Sequence, residues 1–370
     1  MGVENDEILN KLTSAMKNIT EDYSPTKLNA EQQDNFIQVV QESTPLLEEA
    51  RMMTMTTPER DIDRTGFGGR ILQAPADDPE DNVASGPDFY TNTLEATKVK
   101  AIVPLKDDTL EDNLEREGFE DTLVEMIADR AGLDMEELFL LGREGLEDLE
   151  EWSSSKEYEV GDMIQDDDGE DVYECIEDHT SDSDNKPGDG DDWSDYWFLK
   201  VRDEDKKFFS LLDGWMTNAD HVITADDIGD THDPEKIMDL LFQALPRKYI
   251  RQRGDWRYWA SYDIEDDYRN KLRDRSTALG DTAQTEGGDL VYKGIPMATV
   301  GNMNTGEIML GHPDNTVYGI RRDIRIESER EAKHERTDFI VTLRVDAHFE
   351  DEKAVAVSSH YDTEAFDFDY

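Results

Sequence analysis

The chain has 370 residues, of which 90 are acidic and 38 basic, so its formal net charge is −52 at pH 7. Hydrophobic residues make up 36% of the sequence, enough for real cores, which argues against wholesale disorder. In dilute salt such a charge opposes every compact state, whereas in molar salt the Debye length is only about 3 Å. We therefore expect a halophilic source; an ordinary acidic protein is the alternative.

Several classes of protein are excluded at once. Cys175 is the only cysteine, which rules out an internal disulfide framework and a thiolate metal cluster. The start, MGVENDEILN, lacks the basic and apolar regions of a signal peptide and the pattern for a myristoyl anchor. No run approaches the ~20 apolar residues that span a bilayer, and basic residues are too few for phosphate neutralisation to dominate. We expect a soluble intracellular product that does not insert into a membrane or read DNA sequence.

The first hundred residues predict elements without a core of their own. Residues 1–50 predict two short amphipathic helices around a break at Ser24-Pro25, and helices this short are marginal in isolation. The run RTGFGGRILQAP, a polar proline-rich tip and the β-branched run FYTNTLEATKVKAIVPL predict a long two-stranded hairpin. Both elements are expected to pack on something else.

Residues 107–141 carry the strongest helix signal, with apolar residues at three- and four-residue spacing and Gly142 as the stop. At about thirty residues this helix is long for an ordinary domain.

Residues 151–200 then hold 18 acidic and 3 basic residues, a net charge of −15, together with three Trp and three Tyr. Aromatics among short strands predict a small β module inserted in the host fold, with its acid on a solvated face.

The remaining chain predicts mixed α and β structure. We expect a helix over 234–250, a strand over 256–264, a helix over 264–277 and a hairpin leading into KGIPMATVGNM. Two β-rich runs lie within 316–349, and the strand-like KAVAVSSH follows them.

Motifs for catalysis are absent from the sequence. There is no phosphate-binding loop, no serine nucleophile elbow and no zinc-protease helix motif, and the seven His residues include no i,i+4 pair. With 90 acidic residues, a glycosidase-like pair of carboxylates arises by chance alone. The sequence therefore predicts no enzyme and no cofactor.

An acidic run offers the only metal candidate. Asp166, Asp168 and Asp171 could ligate a divalent cation, although Gly169 is not at the sixth position of a calcium loop. A solvated acidic face is the alternative. Structural Ca, Mg, Na or K ions therefore stay a hypothesis.

One stretch runs against the charge of the chain, since nine basic residues lie between 247 and 275. Guanidinium groups there could meet carboxylates of a neighbouring chain. The alternative is ordinary pairing within the chain, since six acids are interleaved in the same stretch. The candidates for intersubunit contacts are Arg247, Arg251, Arg253, Arg273 and Arg275.

The order of these segments resembles the major capsid protein of tailed double-stranded DNA viruses, which has the Hong Kong 97 fold. NFIQVVQESTPLLEEARMMTM and IDRTGFGGRIL are similar to its N-terminal arm and extended loop. VKAIVPLKDDTLEDNLEREGFEDTLVEMIADRAGLDMEELFLLG resembles the strand and spine helix of its peripheral domain. GDLVYKGIPMATVGNM and IMLGHPDNTVYGIRRDIRIE resemble the end of its axial domain and the return, and TLRVDAHFEDEKAVAVSS its closing strands.

The resemblance implies an α+β Hong Kong 97-type capsid fold with a small all-β insertion. Its expected divisions are an arm (1–65), an extended hairpin loop (66–100), a peripheral domain with the spine helix (101–150), the inserted acidic β module (151–201), a peripheral continuation (202–235), an axial domain (236–310) and a return to the peripheral domain with a C-terminal tail (311–370).

The same resemblance implies a structural function. Pentamers and hexamers of this chain would form the icosahedral virion capsid of a halophilic archaeal virus, assembled in the host cytoplasm. Portal, scaffold and decoration proteins and non-specifically bound double-stranded DNA are the expected partners. Residues 71–97 contain no Lys, so covalent cross-linking through that loop is not expected, and about fifty residues before the hairpin point to a separate scaffold protein.

The insert has a resemblance of its own, to carbohydrate-binding modules of the chitin-binding type. EWSSSKEYEVGDMI, DVYECIEDHTS and NKPGDGDDWSDYWFLK carry it. It implies sugar stacking, and a host surface glycan as partner, through five rings: Trp152, Tyr158, Tyr173, Trp193 and Trp197. The alternative is that these rings only fill a small β core. The competing function is a soluble polysaccharide-binding protein or carbohydrate-active enzyme that uses 151–201 as its binding module.

Overall fold

The structure is a computed structural model that describes residues 26–27, 30–66, 72, 86–106, 116–228, 233–250, 252–274, 290–321, 324–331 and 333–358. Among these residues the helices are α1 (Ala30–Glu42), α2 (Pro45–Glu49), α3 (Arg116–Leu141), α4 (Trp193–Tyr196), α5 (Asp203–Phe209), α6 (Trp215–Asn218), α7 (Ala225–Ile228), α8 (Pro234–Ala244) and α9 (Tyr262–Asp274). None of the helices in these ranges combines the length and the apolar character that a bilayer crossing requires.

The strands in the same ranges follow in chain order. They are β1 (Thr26–Lys27), β2 (Arg51–Met55), β3 (Glu59–Gly66), β4 (Asp88–Glu95), β5 (Thr97–Lys106), β6 (Glu157–Tyr158), β7 (Met163–Gln165), β8 (Val172–Cys175), β9 (His179–Thr180), β10 (Trp197–Val201), β11 (His221–Ile223), β12 (Arg257–Ala260), β13 (Val291–Tyr292), β14 (Ile295–Thr299), β15 (Ile308–Gly311), β16 (Thr316–Arg321), β17 (Arg325–Glu331), β18 (Arg336–Phe349) and β19 (Ala356–Ser358).

The largest sheet, called here the body sheet, is built around the long strand β18. Its order is β1-β17-β18-β16-β2, and β5 pairs antiparallel with β18 over ten residues. The alternation of β5 explains its place, because Val99, Ala101, Val103 and Leu105 face the core while the residues between them are exposed. A strand that alternates in this way covers a core with one face only.

The first core lies between the inner face of the body sheet and the helices α1 and α3. Phe36 and Val40 of α1, Leu138 and Phe139 of α3, and Val341 of β18 are all buried in it. The buried Trp215 of α6 joins this core, and its indole N–H donates to the carbonyl of Val317 at 3.2 Å. The strongest predicted helix is therefore a core element of the fold, and its predicted first turns (107–115) lie outside the described residues.

A second sheet has the order β11-β19-β15-β12-β14-β13 and holds the second core. Helices α8 and α9 pack against it through Ile237, Leu241 and Ile264. The sheet takes β11 and β19 from outside the range 236–310, so the predicted axial segment is completed by strands from both sides of it.

Several predicted elements have different bounds in the structure. The strand expected over 256–264 ends at Ala260, because the helix expected from 264 begins at Tyr262. The helix expected over 234–250 ends at Ala244, and Leu245 is extended because a following proline, Pro246, disfavours helical backbone. The β-run 89–105 is two strands, since β4 pairs with β3 whereas β5 pairs with β18. Ala96 separates them and donates its N–H to the carbonyl of Pro58 at 2.8 Å.

The predicted hairpin is present as the antiparallel pair β3–β4, in register from Glu59 opposite Glu95 to Gly66 opposite Asp88. Its first strand begins at Glu59, before the predicted run 64–75, and most of that run lies outside the described residues. The name hairpin is used below for these two strands. Most of its predicted polar tip lies outside the described residues.

The insert, residues 151–201, is all-β apart from the single turn α4. It contains the sheet β10-β8-β7 and the two-stranded sheet β6-β9. Its own core consists of Tyr158, Ile164, Tyr173, Cys175 and Trp197. The prediction of a small β module in this stretch is confirmed.

Candidate functional site

The hairpin has one face toward the body and one face toward solvent. Ile62 and Leu94 of the inner face are buried with Met55 and Val317 of the body sheet. A methyl group at Gly319 would stand 2.7 Å from the Met55 sulfur and 3.1 Å from a Leu94 methyl carbon, so these side chains would have to shift to admit it. This small cluster is the apolar attachment of the hairpin.

Polar contacts fasten the same inner side to the end of β18. The Asn92 side chain donates to the carbonyl of Phe349 at 2.8 Å, and Arg64 forms an ion pair with Asp351. The Glu95 N–H donates to the Asp346 carboxyl at 2.5 Å. The base of the hairpin is therefore held at several points within residues 346–351.

Asp346 is the most perturbed carboxyl of this base. Burial raises its pKa to about 7, although the N–H groups of Glu95 and Ala347 donate to it and act in the opposite direction. A carboxyl in that range changes charge near neutral pH. Sequence reasoning missed Asp346, because nothing in the run TLRVDAHF marks one aspartate as buried.

The outer face of the hairpin is acidic. Asp61 and Asp63 are exposed on β3 and accept hydrogen bonds from the hydroxyls of Thr93 and Thr91, at 2.8 and 2.9 Å. Phe89 of β4 belongs to the same face and is 74% exposed.

The outer face of β5 is cationic. Its exposed residues are Lys98, Lys100, Ile102, Pro104 and Lys106. In a chain with 90 acidic and 38 basic residues, a strand with three exposed lysines and no acid on that face is a local reversal of sign. In the part of the chain that the structure describes, β5 pairs only with β18, so its other edge is open there.

The predicted glycan-stacking rings occupy two kinds of position in the insert. Tyr158, Tyr173 and Trp197 are 2%, 5% and 1% exposed, so a sugar cannot reach their faces and these three rings do not fit the stacking prediction. They fill the small β core that was the alternative. Trp152 and Trp193 are partly exposed at the edge of this core, and for these two rings stacking stays a prediction.

Contacts inside the insert reinforce this assignment. The Trp197 indole N–H donates to the carbonyl of Asn185 at 2.9 Å, and its ring meets the Tyr158 ring edge-on at 5.0 Å. Burial raises the pKa of the Tyr173 hydroxyl and of the Cys175 thiol, each to about 12. Cys175 is therefore a packed, protonated thiol.

A buried ion triad attaches the insert to the body. Lys200 lies 3.1 Å from a carboxylate oxygen of Glu174, also in the insert, and 3.1 Å from one of Glu307, in the loop before β15. Glu307 is only 2% exposed, and the two acids raise the pKa of Lys200 although burial acts against it. The triad lines a cavity of about 290 Å³ between insert and body.

Further hydrogen bonds close the same junction. The Gln165 side chain donates to the carbonyls of Leu146 and Glu147 at 3.0 and 3.1 Å, and Lys206 donates to those of Gly169 and Glu170 at 2.6 and 2.8 Å. These contacts hold the insert against the body. No sequence pattern singled out Lys200 or Glu307.

The acidic run 166–171 forms the turn between β7 and β8. The Asp166 carboxylate accepts the N–H of Glu170 at 2.7 Å and that of Asp171 at 3.3 Å, and Asp171 accepts the N–H of Asp203 at 2.9 Å. Asp168 is exposed. Within the described ranges no three His, Cys, Asp or Glu side chains are grouped as metal ligands would be, so cation binding here stays a prediction.

The basic stretch is divided between internal pairing and exposed groups. Arg257 donates to Glu49 at 3.1 Å, Arg269 pairs with Glu265, and Lys271 lies 2.9 Å from Glu235. These three cations fit the alternative of pairing within the chain.

The five arginines predicted to contact a neighbouring subunit lie in different environments. Arg253 lies 4.9 Å over the Phe242 ring and donates to the carbonyl of Lys293 at 3.0 Å. Arg247 and Arg273 are exposed, and their intersubunit role stays a prediction. Arg251 and Arg275 lie outside the described residues.

Among known proteins, the chain is similar to a prophage capsid protein. No family model matches the chain. Putative prophage capsid protein YqbE of Bacillus subtilis (strain 168) is 27% identical over 373 residues, covering 96% of this chain and 98% of that protein.

Solved structures with a similar fold include a procapsid chain of a satellite phage and a capsid chain of a GTA particle. A chain of the satellite phage P4 procapsid that includes the size determination (Sid) protein matches with a TM-score of 0.51 and 13% identity, covering 88% of this chain and 98% of that chain. A chain from the capsid of a native GTA particle has a TM-score of 0.47 and 14% identity, over 85% of this chain and 89% of that chain. At such identities the likeness concerns the fold alone.

Proposed function

We propose that this chain, which has the Hong Kong 97-type capsid fold with a small β insertion, is the shell-forming subunit of a tailed virus of a halophilic archaeon. One observation carries the proposal: the prophage capsid relative is similar over 96% of this chain and 98% of its own length. Similarity over whole chains supports a shared architecture better than similarity of one domain would. The work of the protein is self-association in the virion capsid, and catalysis has no part in it.

The geometry of the hairpin supports this proposal. Its own buried residues are few, and its outer face is solvent-exposed in the isolated chain. Two-stranded hairpins are marginal unless they pack on further surface. A neighbouring subunit supplies that surface, and a closed shell repeats the contact in every pentamer and hexamer.

The charge sets the conditions for assembly. Each copy carries −52, so copies repel one another strongly when the Debye length is long. Lowering the salt is expected to dissociate the shell, with structural cations as one means of bridging carboxylates. Particles that stay intact after dialysis into dilute, metal-free buffer would contradict this salt dependence.

The shell needs partners that this chain does not itself provide. We expect portal and scaffold proteins, with decoration proteins as further candidates, and double-stranded DNA held without sequence preference. Because the chain is acidic, its contact with DNA depends on salt cations or on local arginines. Assembly is expected in the host cytoplasm.

Electron microscopy of the purified full-length protein tests the function. Expressed in a halophilic host and purified in about 2 to 4 M salt, where screening is nearly complete, it should form closed icosahedral particles. A stable small monomer under those conditions would contradict a shell function.

The insert is expected to project from the outside of the shell. Deletion of 151–201 then leaves particles that assemble but lack outward density, whereas loss of particles would contradict a peripheral place for the insert. Because the cut removes Lys200, which pairs with the buried Glu307, the deletion is combined with Glu307→Gln and a short linker between 150 and 202.

Glycan binding is the alternative use of the insert, and with it the alternative class of a polysaccharide-binding protein. Retention of the full chain on chitin or host surface glycan tests it. Trp193→Ala is the informative variant because that ring is partly exposed, whereas Trp197 is a core residue. Retention that Trp193→Ala abolishes would favour sugar stacking; no retention of the parent protein would favour a decorative module.

A further inference from the structure

A group of exposed cations lies beside the turn between β13 and β14 and is called here the basic patch. The guanidinium of Arg253 and the ammonium of Lys293 lie over the same Phe242 ring, 4.9 and 5.2 Å from its centre. The loop that follows α8, the helix of Phe242, adds two further cations. The exposed members of the patch are Arg247, Lys248, Arg253 and Lys293.

The cations of the patch are more numerous than the acids beside them. Asp239 forms an ion pair with Lys293, and Asp255 is an exposed acid that follows in the same loop. Within the described residues Arg247 and Lys248 form no ion pair. In a chain with 90 acidic and 38 basic residues, two adjacent cations of this kind make a surface that attracts carboxylates.

The insert carries the complementary surface, called here the acidic rim. Trp193 of α4 is partly exposed, and its ring meets the Tyr173 ring of the insert core edge-on at 5.7 Å. Exposed carboxylates lie on both sides of Trp193 in the chain, and in the part that the structure describes they form no ion pair. These are Asp191, Asp192 and Asp195. An exposed ring flanked by charges is a usual composition of a protein–protein interface.

The rim and the patch lie on opposite sides of the second sheet. The insert meets that sheet beside β11 and β19, where Val222 and Val357 line the cavity at the junction. The patch lies beside β13 and β14, at the other end of the strand order. Neighbouring strands are about 4.8 Å apart, so β11 and β13 are separated by about 24 Å. The partner of each surface must therefore come from another molecule.

We propose that the acidic rim of one copy docks on the basic patch of a second copy. Asp191 and Asp192 meet Arg247 and Lys248, and the Trp193 ring lies against these cations in a cation–π contact. The two surfaces are different and lie at opposite edges of one sheet, so the contact is heterologous and closes into a ring when the rotation between copies allows it. The inference rests on the proposed shell function, since such rings are the pentamers and hexamers of a capsid.

The composition of the patch favours a protein over DNA as its occupant. Partly buried rings, Phe242 and Tyr249, lie beneath its cations, and the carboxylates of Asp239 and Asp255 would repel a phosphate backbone. Phosphate contacts call for a continuous basic surface. Rings among mixed charges suit a folded partner instead, and Trp and Arg are the residues enriched at the centres of such interfaces.

High salt does not remove this contact. Charges covered by an interface are screened much less than exposed ones, while the long-range repulsion between copies of net charge −52 is screened almost completely. The hairpin is expected to hold neighbouring copies independently. Loss of the rim contact therefore weakens assembled particles without preventing their assembly, and the salt at which particles dissociate is the quantity to measure.

Arg247→Glu with Lys248→Glu in the full-length chain tests the docking. Two lost pairs at the rim are expected to weaken each contact about fivefold, so particles should dissociate at a higher salt concentration when salt is lowered stepwise. Sedimentation measures the midpoint. Arg202→Glu with Lys207→Glu changes two exposed cations outside the patch and alters the net charge equally, so this matched control should shift the midpoint less.

Reversal on the other surface separates the contact from general repulsion. Asp191→Lys with Asp192→Lys makes every copy less acidic, so repulsion alone predicts particles that survive to lower salt. Loss of the contact predicts the opposite shift, to higher salt. Combining these changes with Arg247→Glu and Lys248→Glu exchanges the charges at unchanged net charge, and this fourfold variant should recover the midpoint of the parent protein.

Cross-linking tests the pairing of the two surfaces directly. The single native cysteine, Cys175, is buried, so introduced thiols react without interference. A short bis-maleimide reagent should join Asp192→Cys of one copy to Lys248→Cys of the next and give a ladder of covalent oligomers from assembled particles. Asp192→Cys alone should give none. Particles of the double variant that give no ladder would contradict the contact.

Each result decides the proposal. An unchanged midpoint after reversal of Arg247 and Lys248, or unchanged particles that only package less DNA, would overturn the docking. A midpoint that follows net charge alone in the Asp191→Lys, Asp192→Lys variant would overturn it too. Assembled particles that bind chitin through Trp193 would also contradict it, because the contact covers that ring. If the parent protein forms no particles in any salt, the proposed function itself fails, which is distinct from these outcomes.

Discussion

The insert and the hairpin are both short β structures, but they obtain their stability in different ways. The insert buries an aromatic core of its own, in which Tyr158, Tyr173 and Trp197 are almost inaccessible. The hairpin buries Ile62 and Leu94 only by using Met55 and Val317 of the body. Bulky rings let about fifty residues close a core, whereas two strands with a polar outer face depend on surface from elsewhere.

Among these substitutions, Trp197→Ala is expected to destabilise the insert most. Truncating a fully buried Trp typically costs about 3–5 kcal/mol, and the indole hydrogen bond to Asn185 is lost as well. Limited proteolysis should then cut within 151–201. Trp193→Ala, at the edge of the same core, is the control and should stay resistant for longer; equal resistance of both variants would contradict an aromatic core centred on Trp197.

Lys200→Met tests how the insert is attached. Removing the cation takes away the positive charge that Glu174 and Glu307 share, and breaking a buried pair from one side costs about 3–5 kcal/mol. We expect a lower midpoint of chemical denaturation. Adding Glu174→Gln and Glu307→Gln should recover most of the loss.

The matched control for that variant is an exposed pair of the same kind. Lys156→Met breaks the pair of Lys156 with Glu150, which lies largely in solvent, and such exposed pairs contribute little to stability because water and salt screen them. If Lys156→Met and Lys200→Met lower the midpoint equally, the triad is not the attachment described above.

The two faces of the hairpin can be compared with two substitutions. Ile62→Val removes one buried methylene and should lower the free energy of unfolding by about 0.5–1.5 kcal/mol. Phe89→Ala changes an exposed ring and should alter it by less than about 0.5 kcal/mol, yet reduce the yield of particles. Thermal unfolding together with sedimentation measures both, and a Phe89→Ala protein that unfolds earlier but assembles normally would reverse the assignment of faces.

Asp346→Asn tests the base of the hairpin through the pH dependence of stability. Burial raises the pKa of this carboxyl from 3.8 to about 7, so the folded chain binds the proton more tightly than the unfolded chain. The resulting stability is present below the unfolded pKa and is lost as the pH rises toward 7.

Thermal unfolding of Asp346→Asn and the parent protein across about pH 5 to 8 measures this effect. The parent protein should lose stability relative to the variant as the pH rises through this range. Asp338→Asn, a change to a carboxyl of the same strand that pairs with Arg336, is the control for the difference. Parallel curves for Asp346→Asn and the parent would show that Asp346 does not titrate in this range.

Many helices and strands were predicted from the local spacing of apolar and polar residues. The apolar spacing of 107–141 predicted α3, and the β-branched run 89–105 predicted the strand structure that is present as β4 and β5. Turn chemistry was less visible: Pro246 ended α8 earlier than its apolar pattern suggested. The division of 89–105 at Ala96 depended on which strands pair, and pairing is a property of the whole sheet.

The candidate site was predicted less completely than the fold. The aromatic residues of the insert were found by composition, but their burial was not, because stacking and packing use the same residue types. Lys200, Glu307 and Asp346 escaped notice because an ion triad or a buried carboxyl joins residues far apart in sequence.

By itself the sequence determined the charge, the order of the elements and the acidic character of the insert, since these follow from residue type and local spacing. Only the tertiary structure decided which rings are buried, which lysine is enclosed by carboxylates and which faces of β3 and β5 point to solvent. Burial and partnership depend on the segments that meet in space, so a formal charge of −52 does not by itself say which charges are enclosed and which are exposed.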